Sequence, residues 1–212
     1  MIKIIVTDDH PFIREGLKKI ISQGYAGIKV IGETSSGADL MKMLEKILPD
    51  LVILDISMPD KNGLDVLKEV KTYYPRVPVL ILSMHPEERF AIRVLKAGAS
   101  GYLAKNSGSE ELIKAIRMIV EQKKRYISPL VAEQLAQMMD SSNKSNMHEM
   151  LSDREYQVLC MIASGKETKD IASELSLSVQ TIHTYRSRLK EKMKLKSNVE
   201  ITRYAIQNNL ID

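Results

Sequence analysis

A chain of 212 residues, 44% hydrophobic and 27% charged, suits one large domain or two ordinary ones and is neither disordered nor membrane-embedded in composition. A net charge of +4 is too mild to identify a polyanionic partner, so the placement of charge carries more than its sum. One cysteine, Cys160, excludes an internal disulfide and a cysteine-based zinc site. The absence of a long apolar run or of a cleavable leader at MIKIIVTDDH points to a cytoplasmic protein with no membrane partner.

In chain order, the first half alternates apolar strand-like runs with segments of helical period. Strands are predicted at Lys3–Thr7, Ile28–Gly32, Leu51–Leu54, Val79–Ser83 and Gly101–Leu103. Ile13, Leu17, Ile20 and Ile21 recur at helical spacing between the first two. Further helices are predicted over about Ala38–Leu48, Leu64–Tyr73, Glu87–Ala97 and Ser109–Gln122. This alternation predicts an α/β doubly wound five-stranded parallel sheet, buried on both faces. Such sheets bind ligands beyond the carboxyl ends of their strands, where strand order reverses.

The character changes after Tyr126. "SPLVAEQLAQMMD" reads as an amphipathic helix, and "DSSNKSNMHE" as a polar linker without apolar period. "SDRE" at Ser152–Glu155 is a capping-box pattern, and Gly165 is expected to stop the helix it opens. Three short helices follow, at about Thr168–Leu175, Val179–Met193 and Asn198–Gln207. The expected domains are 1–124, a linker with a short helix at 125–147, and a small all-α helix-turn-helix domain at 148–212.

Three carboxylates fall at predicted strand ends: Asp8 and Asp9 after "IKIIVT", and Asp55 after "LVIL". Neighbouring parallel strands would gather them at one edge, where mutual repulsion raises their pKa values or a cation neutralises them. An oxygen-only set suits Mg²⁺ (or Mn²⁺), bound by one or two carboxylates together with a phosphate. The plainer alternative, that Asp8 and Asp9 only cap the next helix, weakens once Asp55 occupies an equivalent strand end. Ser83 and Lys105 end the fourth and fifth strands, where a hydroxyl and an ammonium suit phosphoryl oxygens. The set fits phosphoryl transfer onto a carboxylate, with Asp55 as nucleophile. His10, His85 and His148 stand isolated in the sequence and are not expected as ligands.

With Asp8–Asp9, Asp55 followed by Pro59 and Gly63, Ser83, and "GYLAK" ending in Lys105, residues 1–124 resemble the receiver domain of two-component response regulators. The resemblance implies that Asp55 is phosphorylated and that Asp9, Asp55 and the backbone carbonyl of Ser57 hold the metal, with Asp8 assisting through water. It also implies that Tyr102 is a switch aromatic responding to Ser83; the alternative is a tyrosine merely packed against the fourth helix.

Further on, "TYRSRLKEKMKLK" carries Arg186, Arg188, Lys190, Lys192, Lys194 and Lys196 against a single acid, Glu191. A basic run is usually a solvated helix face. Here a short helix and tight turn precede it, with Ser178 as candidate N-cap, which is the layout of a DNA-reading helix-turn-helix. "LSDREYQVL", "GKETKDIASELSLSVQTIHTYRSRLKEKM" and "LKSNVEITRYAI" resemble the LuxR-type helix-turn-helix of NarL/FixJ response regulators, and "TIHTYRSR" resembles the variant of GacA/UvrY-type members. That resemblance places base contacts at His183, Thr184 and Ser187, and phosphate contacts at Thr181, Arg186, Arg188, Lys190 and Lys169. It also implies dimerisation through the last helix, at Val199, Ile201, Ala205 and Ile206, residues that alternatively close the four-helix core.

Together these readings imply a transcription regulator rather than an enzyme, beyond slow autodephosphorylation. A sensor histidine kinase or small phosphodonor would phosphorylate Asp55, and an active homodimer would bind two-fold-related sites on double-stranded DNA. Two alternatives come from other classes. A helical output that binds protein predicts little salt dependence. An aspartyl-phosphate phosphohydrolase would need a D-x-D nucleophile after the first strand and a substrate cap, neither of which is present in the sequence.

Overall fold

Uninterrupted aliphatic runs become the strands of a parallel sheet because both of its faces are covered. A computed structural model describes residues 1–24, 27–58, 61–84, 87–140, 147–208 and 210–211. Pro59, His85 and most of the polar stretch after Asp140 lie outside the described residues. The strands are β1 (Ile2–Thr7), β2 (Ile28–Thr34), β3 (Leu51–Asp55), β4 (Val79–Ser83) and β5 (Gly101–Ala104), all parallel, in the order β2-β1-β3-β4-β5. Helices α1 (Pro11–Gly24), α2 (Gly37–Leu44), α3 (Gly63–Tyr73), α4 (Glu87–Lys96) and α5 (Ser109–Val120) connect and follow them.

Alternate strand residues supply the two cores. Ile4, Val6, Ile53, Leu80 and Leu103 pack with Leu17 and Ile21 of α1 and Leu112 and Ile116 of α5. Their neighbours Ile5, Val52, Leu54 and Ile81 point to the other face and are equally buried. Helix α2 stops at Leu44, short of the expected Leu48. Pro49 disfavours helical backbone at the residue before it, and Ile47 and Leu48 lie exposed instead of continuing an apolar face.

The chain forms two compact units, Met1–Ala136 and Gln137–Asp212. The first therefore takes in much of the segment expected as linker. Tyr126 bridges Gly101 at the open edge of β5 and is buried, its hydroxyl donating to Glu111 at 2.6 Å. Ser128 and Val131, at the start of α6 (Pro129–Asp140), are buried as well.

The second unit contains a 3₁₀ turn at Met147–Met150 and helices α7 (Asp153–Ala163), α8 (Thr168–Glu174), α9 (Val179–Lys192) and α10 (Asn198–Gln207). The capping box forms as the sequence predicts: Ser152 Oγ accepts from Glu155 N–H, and Glu155 accepts from Ser152 N–H at 2.7 Å. Gly165, at φ +81°, ends α7 by pairing Lys166 N–H with Met161 and its own N–H with Ile162. Among the described residues, no helix is long and apolar enough to cross a membrane.

Candidate functional site

Strand register builds the acidic pocket. Thr7 pairs with Leu54 and Asp55 with Leu82, so Asp8, one step beyond β1, stands level with Asp55. Ser83 pairs with Ala104, which releases Lys105 one residue later toward the same rim. Strand order reverses between β1 and β3, and the pocket opens at that switch point.

Asp8 and Asp55 are each 1% exposed and Ser83 is fully buried. Lys105 Nζ reaches across them, 2.7 Å from Asp8 Oδ2 and 2.9 Å from Asp55 Oδ2. Asp55 Oδ1 accepts from the Ser57 amide at 3.1 Å, and Asp8 Oδ1 from the His10 amide at 2.9 Å. Burial pushes the Asp55 carboxyl above its ordinary range; the Lys105 charge opposes this and the Asp8 charge adds to it. Burial alone would lower Lys105, but the two carboxylates outweigh it and raise the ammonium further, so it stays charged.

Asp8, Asp9, His10 and Asp55 each offer a ligand atom, all within 4.8 Å of one another. Three carboxylates against one ammonium leave a formal excess of two negative charges. Asp9 Oδ1 and Asp55 Oδ2 are buried without a hydrogen bond, Lys105 meeting the latter as an ion pair outside hydrogen-bond geometry. Two under-satisfied carboxylate oxygens in a site of that charge fit a divalent cation.

The second candidate surface is α9. Successive helix residues turn by about 100°, which puts buried Ile182 and Leu189 on one side and Thr184 and Ser187 on the opposite side, flanked by His183 and Arg188. His183, Thr184, Ser187 and Arg188 are exposed; Thr181, Arg186 and Lys190 are partly exposed. Ser178 caps the helix, its hydroxyl accepting from Thr181 N–H at 3.0 Å. The turn from α8 closes with Ser176 at φ +51°, where Leu177 N–H pairs with Ala172 and Ser176 N–H with Ser173.

Residues 4–117 match the response regulator receiver domain family, and residues 149–205 match the bacterial regulatory proteins of the luxR family. The chain belongs to the response regulators with a luxR-type output domain. It is 34% identical to the response regulator GacA of Pseudomonas aeruginosa over 100% of this chain and 99% of that one. It is also 34% identical to UvrY of Escherichia coli, over 99% of this chain and 96% of that one. Among solved structures, RcsB of Salmonella typhimurium, studied for conformational dynamism in DNA interaction, is similar at 25% identity and TM-score 0.59, covering 97% of this chain and 98% of that one.

In this response regulator the structure brings Asp8, Asp9, Asp55, Ser83 and Lys105 to one rim. Tyr102, in β5, is buried at 2% exposure, with Leu103 behind it in the sheet core. In the output domain His183, Thr184, Ser187 and Arg188 share one open helix side, and Lys169 is exposed on α8. The four residues named for dimerisation divide: Ile201 and Ala205 are fully buried inside the domain, whereas Val199 and Ile206 are 70% and 55% exposed.

Two features escaped sequence reasoning. His10 is not isolated: its Nδ1 lies 2.9 Å from Asp9 Oδ1 and 3.2 Å from Asp8 Oδ1, and its place directly after the acidic pair was the available signal. Lys192, counted within the basic run, points back to α7, where its Nζ meets Glu155, a buried side chain, at 2.7 Å. No local pattern announces that pairing, since the partners are 37 residues apart.

Proposed function

We propose that this response regulator is switched by transfer of a phosphoryl group to Asp55, and that α9 reads out the switch by binding double-stranded DNA. The observation that carries the reading is the Lys105 ammonium held between Asp8 and Asp55 in a buried pocket at the sheet's switch point. An Asp55 carboxylate oxygen forms the new bond to phosphorus as the donor's bond to it breaks; with a phosphohistidine donor, the imidazole leaves. Burial and the neighbouring Asp8 charge make Asp55 a more basic nucleophile than an exposed aspartate. Lys105 and the hydroxyl of Ser83 then face the transferred oxygens, and Tyr102 follows Ser83. Asp9, Asp55 and the Ser57 carbonyl, with Asp8 behind them, would hold Mg²⁺ (or Mn²⁺), which supplies neutralisation of the phosphoryl charge.

The donor is a sensor histidine kinase or a small phosphodonor. The chain turns over no substrate beyond losing its own phosphoryl group, and it works in the cytoplasm. On the output side, His183, Thr184 and Ser187 face base edges, while Thr181, Arg186, Arg188, Lys190 and Lys169 neutralise phosphates. The GacA and UvrY resemblance and the RcsB fold, itself studied for DNA interaction, support this reading. The active form is a homodimer on two-fold-related sites, and Val199 and Ile206 are the exposed aliphatic residues that the last helix offers to a partner. Residues 1–124 receive the signal and 148–212 deliver it, with 125–147 between.

The test is phosphoryl uptake from a small phosphodonor, followed by mass spectrometry of the intact chain. Wild type should gain one alkali-labile, hydroxylamine-labile group and Asp55→Asn none. Continued labelling of Asp55→Asn would sink the assignment.

A further inference from the structure

The pocket contains a nitrogen donor that the proposed cation site leaves unused. His10 lies between the acidic pair and α1, and its side chain is 59% exposed, so one side of the ring is open to water. Its Nδ1 sits 2.9 Å from Asp9 Oδ1 and 3.2 Å from Asp8 Oδ1. Adjacent ligands of an octahedral ion with bonds of about 2.1 Å stand about 3.0 Å apart, so an ion could bridge these donors with little movement. Nδ1 and Asp9 Oδ1 approach this closely without a hydrogen bond between them, and Asp9 Oδ1 is buried with no other partner. Asp55, whose side chain is 1% exposed, likewise presents Oδ2 without a hydrogen bond. Nδ1 also hydrogen-bonds Asp8 Oδ1 at 3.2 Å, so His10 and the acidic pair already share one corner of the pocket.

Oxygen-only sites suit Mg²⁺, whereas an imidazole nitrogen shifts preference toward first-row transition ions. We infer that His10 is a metal-selectivity residue of this receiver: its Nδ1 joins the carboxylates on a first-row transition ion such as Co²⁺ or Cu²⁺ and stays off Mg²⁺. The inference rests on the proposed cation-binding role of the pocket. It makes the site respond to transition-ion supply as well as to Mg²⁺, because the two ion types use different donor sets in the same place.

The experiment uses the full chain as wild type, His10→Ala, His10→Gln and Asp9→Asn. Affinities for Co²⁺ and Mg²⁺ are measured by titration, and nitrogen-14 modulation of the electron spin echo is recorded for bound Cu²⁺. His10→Ala should weaken Co²⁺ at least about tenfold, the lower end of what outer partners alone contribute. It should also remove the nitrogen modulation while leaving Mg²⁺ affinity unchanged. His10→Gln, which keeps a polar side chain but loses the imidazole, should not restore Co²⁺. Equal Co²⁺ affinity in wild type and His10→Ala, surviving nitrogen modulation, or rescue by glutamine would each overturn the selectivity role and leave the pocket reading standing. Absent Mg²⁺ and Co²⁺ binding in wild type, or binding untouched by Asp9→Asn, would instead remove the pocket reading and the inference with it.

Discussion

Gly63→Ala tests how tightly the fold holds Asp55 in place. A Cβ at this position would lie 2.1 Å from the Asp55 carbonyl oxygen, 2.7 Å from Ile56 Cα and 2.9 Å from the Asp55 carbonyl carbon. Comfortable carbon contacts begin near ~3.5 Å, so the closest approach is short by more than about 1 Å. The obstruction is backbone, which has no rotamer to give. Gly63 also donates its N–H to Ile56 O at 2.9 Å, and Asn62 caps α3 beside it, so α3 cannot lift away without losing hydrogen bonds. Overpacking costs about 1–3 kcal/mol. A weakened hydrogen bond adds about 1 kcal/mol, giving roughly 2–4 kcal/mol in all. The strain falls on the residue proposed to carry the nucleophile, and a displacement of about 1 Å costs on the order of 100-fold in rate. Urea unfolding of the full chain and the initial rate of phosphoryl uptake check the two halves. Gly16→Ala is the matched control: it lies in α1 with nothing within 4 Å of its added Cβ, and should gain about 0.5–1 kcal/mol with phosphorylation unchanged. Wild-type stability and uptake in Gly63→Ala would refute the reasoning.

Glu155→Gln should destabilise the chain by about 1–2 kcal/mol, since the buried carboxylate accepts from both Lys192 and the Ser152 amide and Lys192 is partly open to water. Burial alone would raise the Glu155 pKa, but the hydrogen bonds from Lys192 and Ser152 prevail and hold it below the ordinary glutamate range. A depressed folded pKa gives stability that is fully present above the unfolded value and is lost as pH falls through the folded one. Urea midpoints should therefore drop more steeply in acid for wild type than for Glu155→Gln; parallel curves would remove the carboxylate from the account. Arg188→Ala should weaken DNA binding to a similar extent across sequences and lower the salt slope by about 1 in band-shift titrations, whereas a loss confined to one sequence would make it a base-reading residue.

Much of the first unit was legible because a doubly wound sheet prints itself on the sequence. Buried parallel strands are unbroken aliphatic runs, and each run here ends where a polar residue meets the rim. Asp8, Asp55, Ser83 and Lys105 were thus placed together by counting strand ends, and the register of β1, β3, β4 and β5 puts them there. The sequence was mute where a feature depends on a distant partner or on a backbone state no residue type announces. Gly165 advertised its turn, but Ser176 and Lys194 end α8 and α9 in the same left-handed conformation, at φ +51° and +55°, without a glycine. Tyr126 reads as the start of a linker until the bare edge of β5 is seen beside it. Lys192 reads as part of a cationic run until Glu155, buried on α7, claims it. Val199 and Ile206 cannot be told from Ile201 and Ala205 by residue type, since only the packing of α10 decides which face is covered.

If Asp55 takes up a phosphoryl group as proposed, the geometry of Lys105 offers a route by which the added charge would reach the rest of the chain. Its ammonium spans Asp8 and Asp55, so it already offsets part of the pocket's negative charge from within. A phosphoryl group adds about two negative charges and three strong acceptor oxygens on the Asp55 side alone. The ammonium then has reason to leave Asp8, whose Oδ1 keeps the His10 amide as a partner. The shift is not confined to a flexible side chain, because the Lys105 main-chain N–H donates to the Ser83 carbonyl at 2.6 Å. Ser83 ends β4, the strand before α4 in the chain, and Lys105 follows β5, which carries Tyr102. One hydrogen bond thus ties Ser83 and Lys105 to each other through backbone. A pull on either is a pull on the ends of both strands, so under the proposed reading a charge added at Asp55 would be felt first in the α4–β5 region.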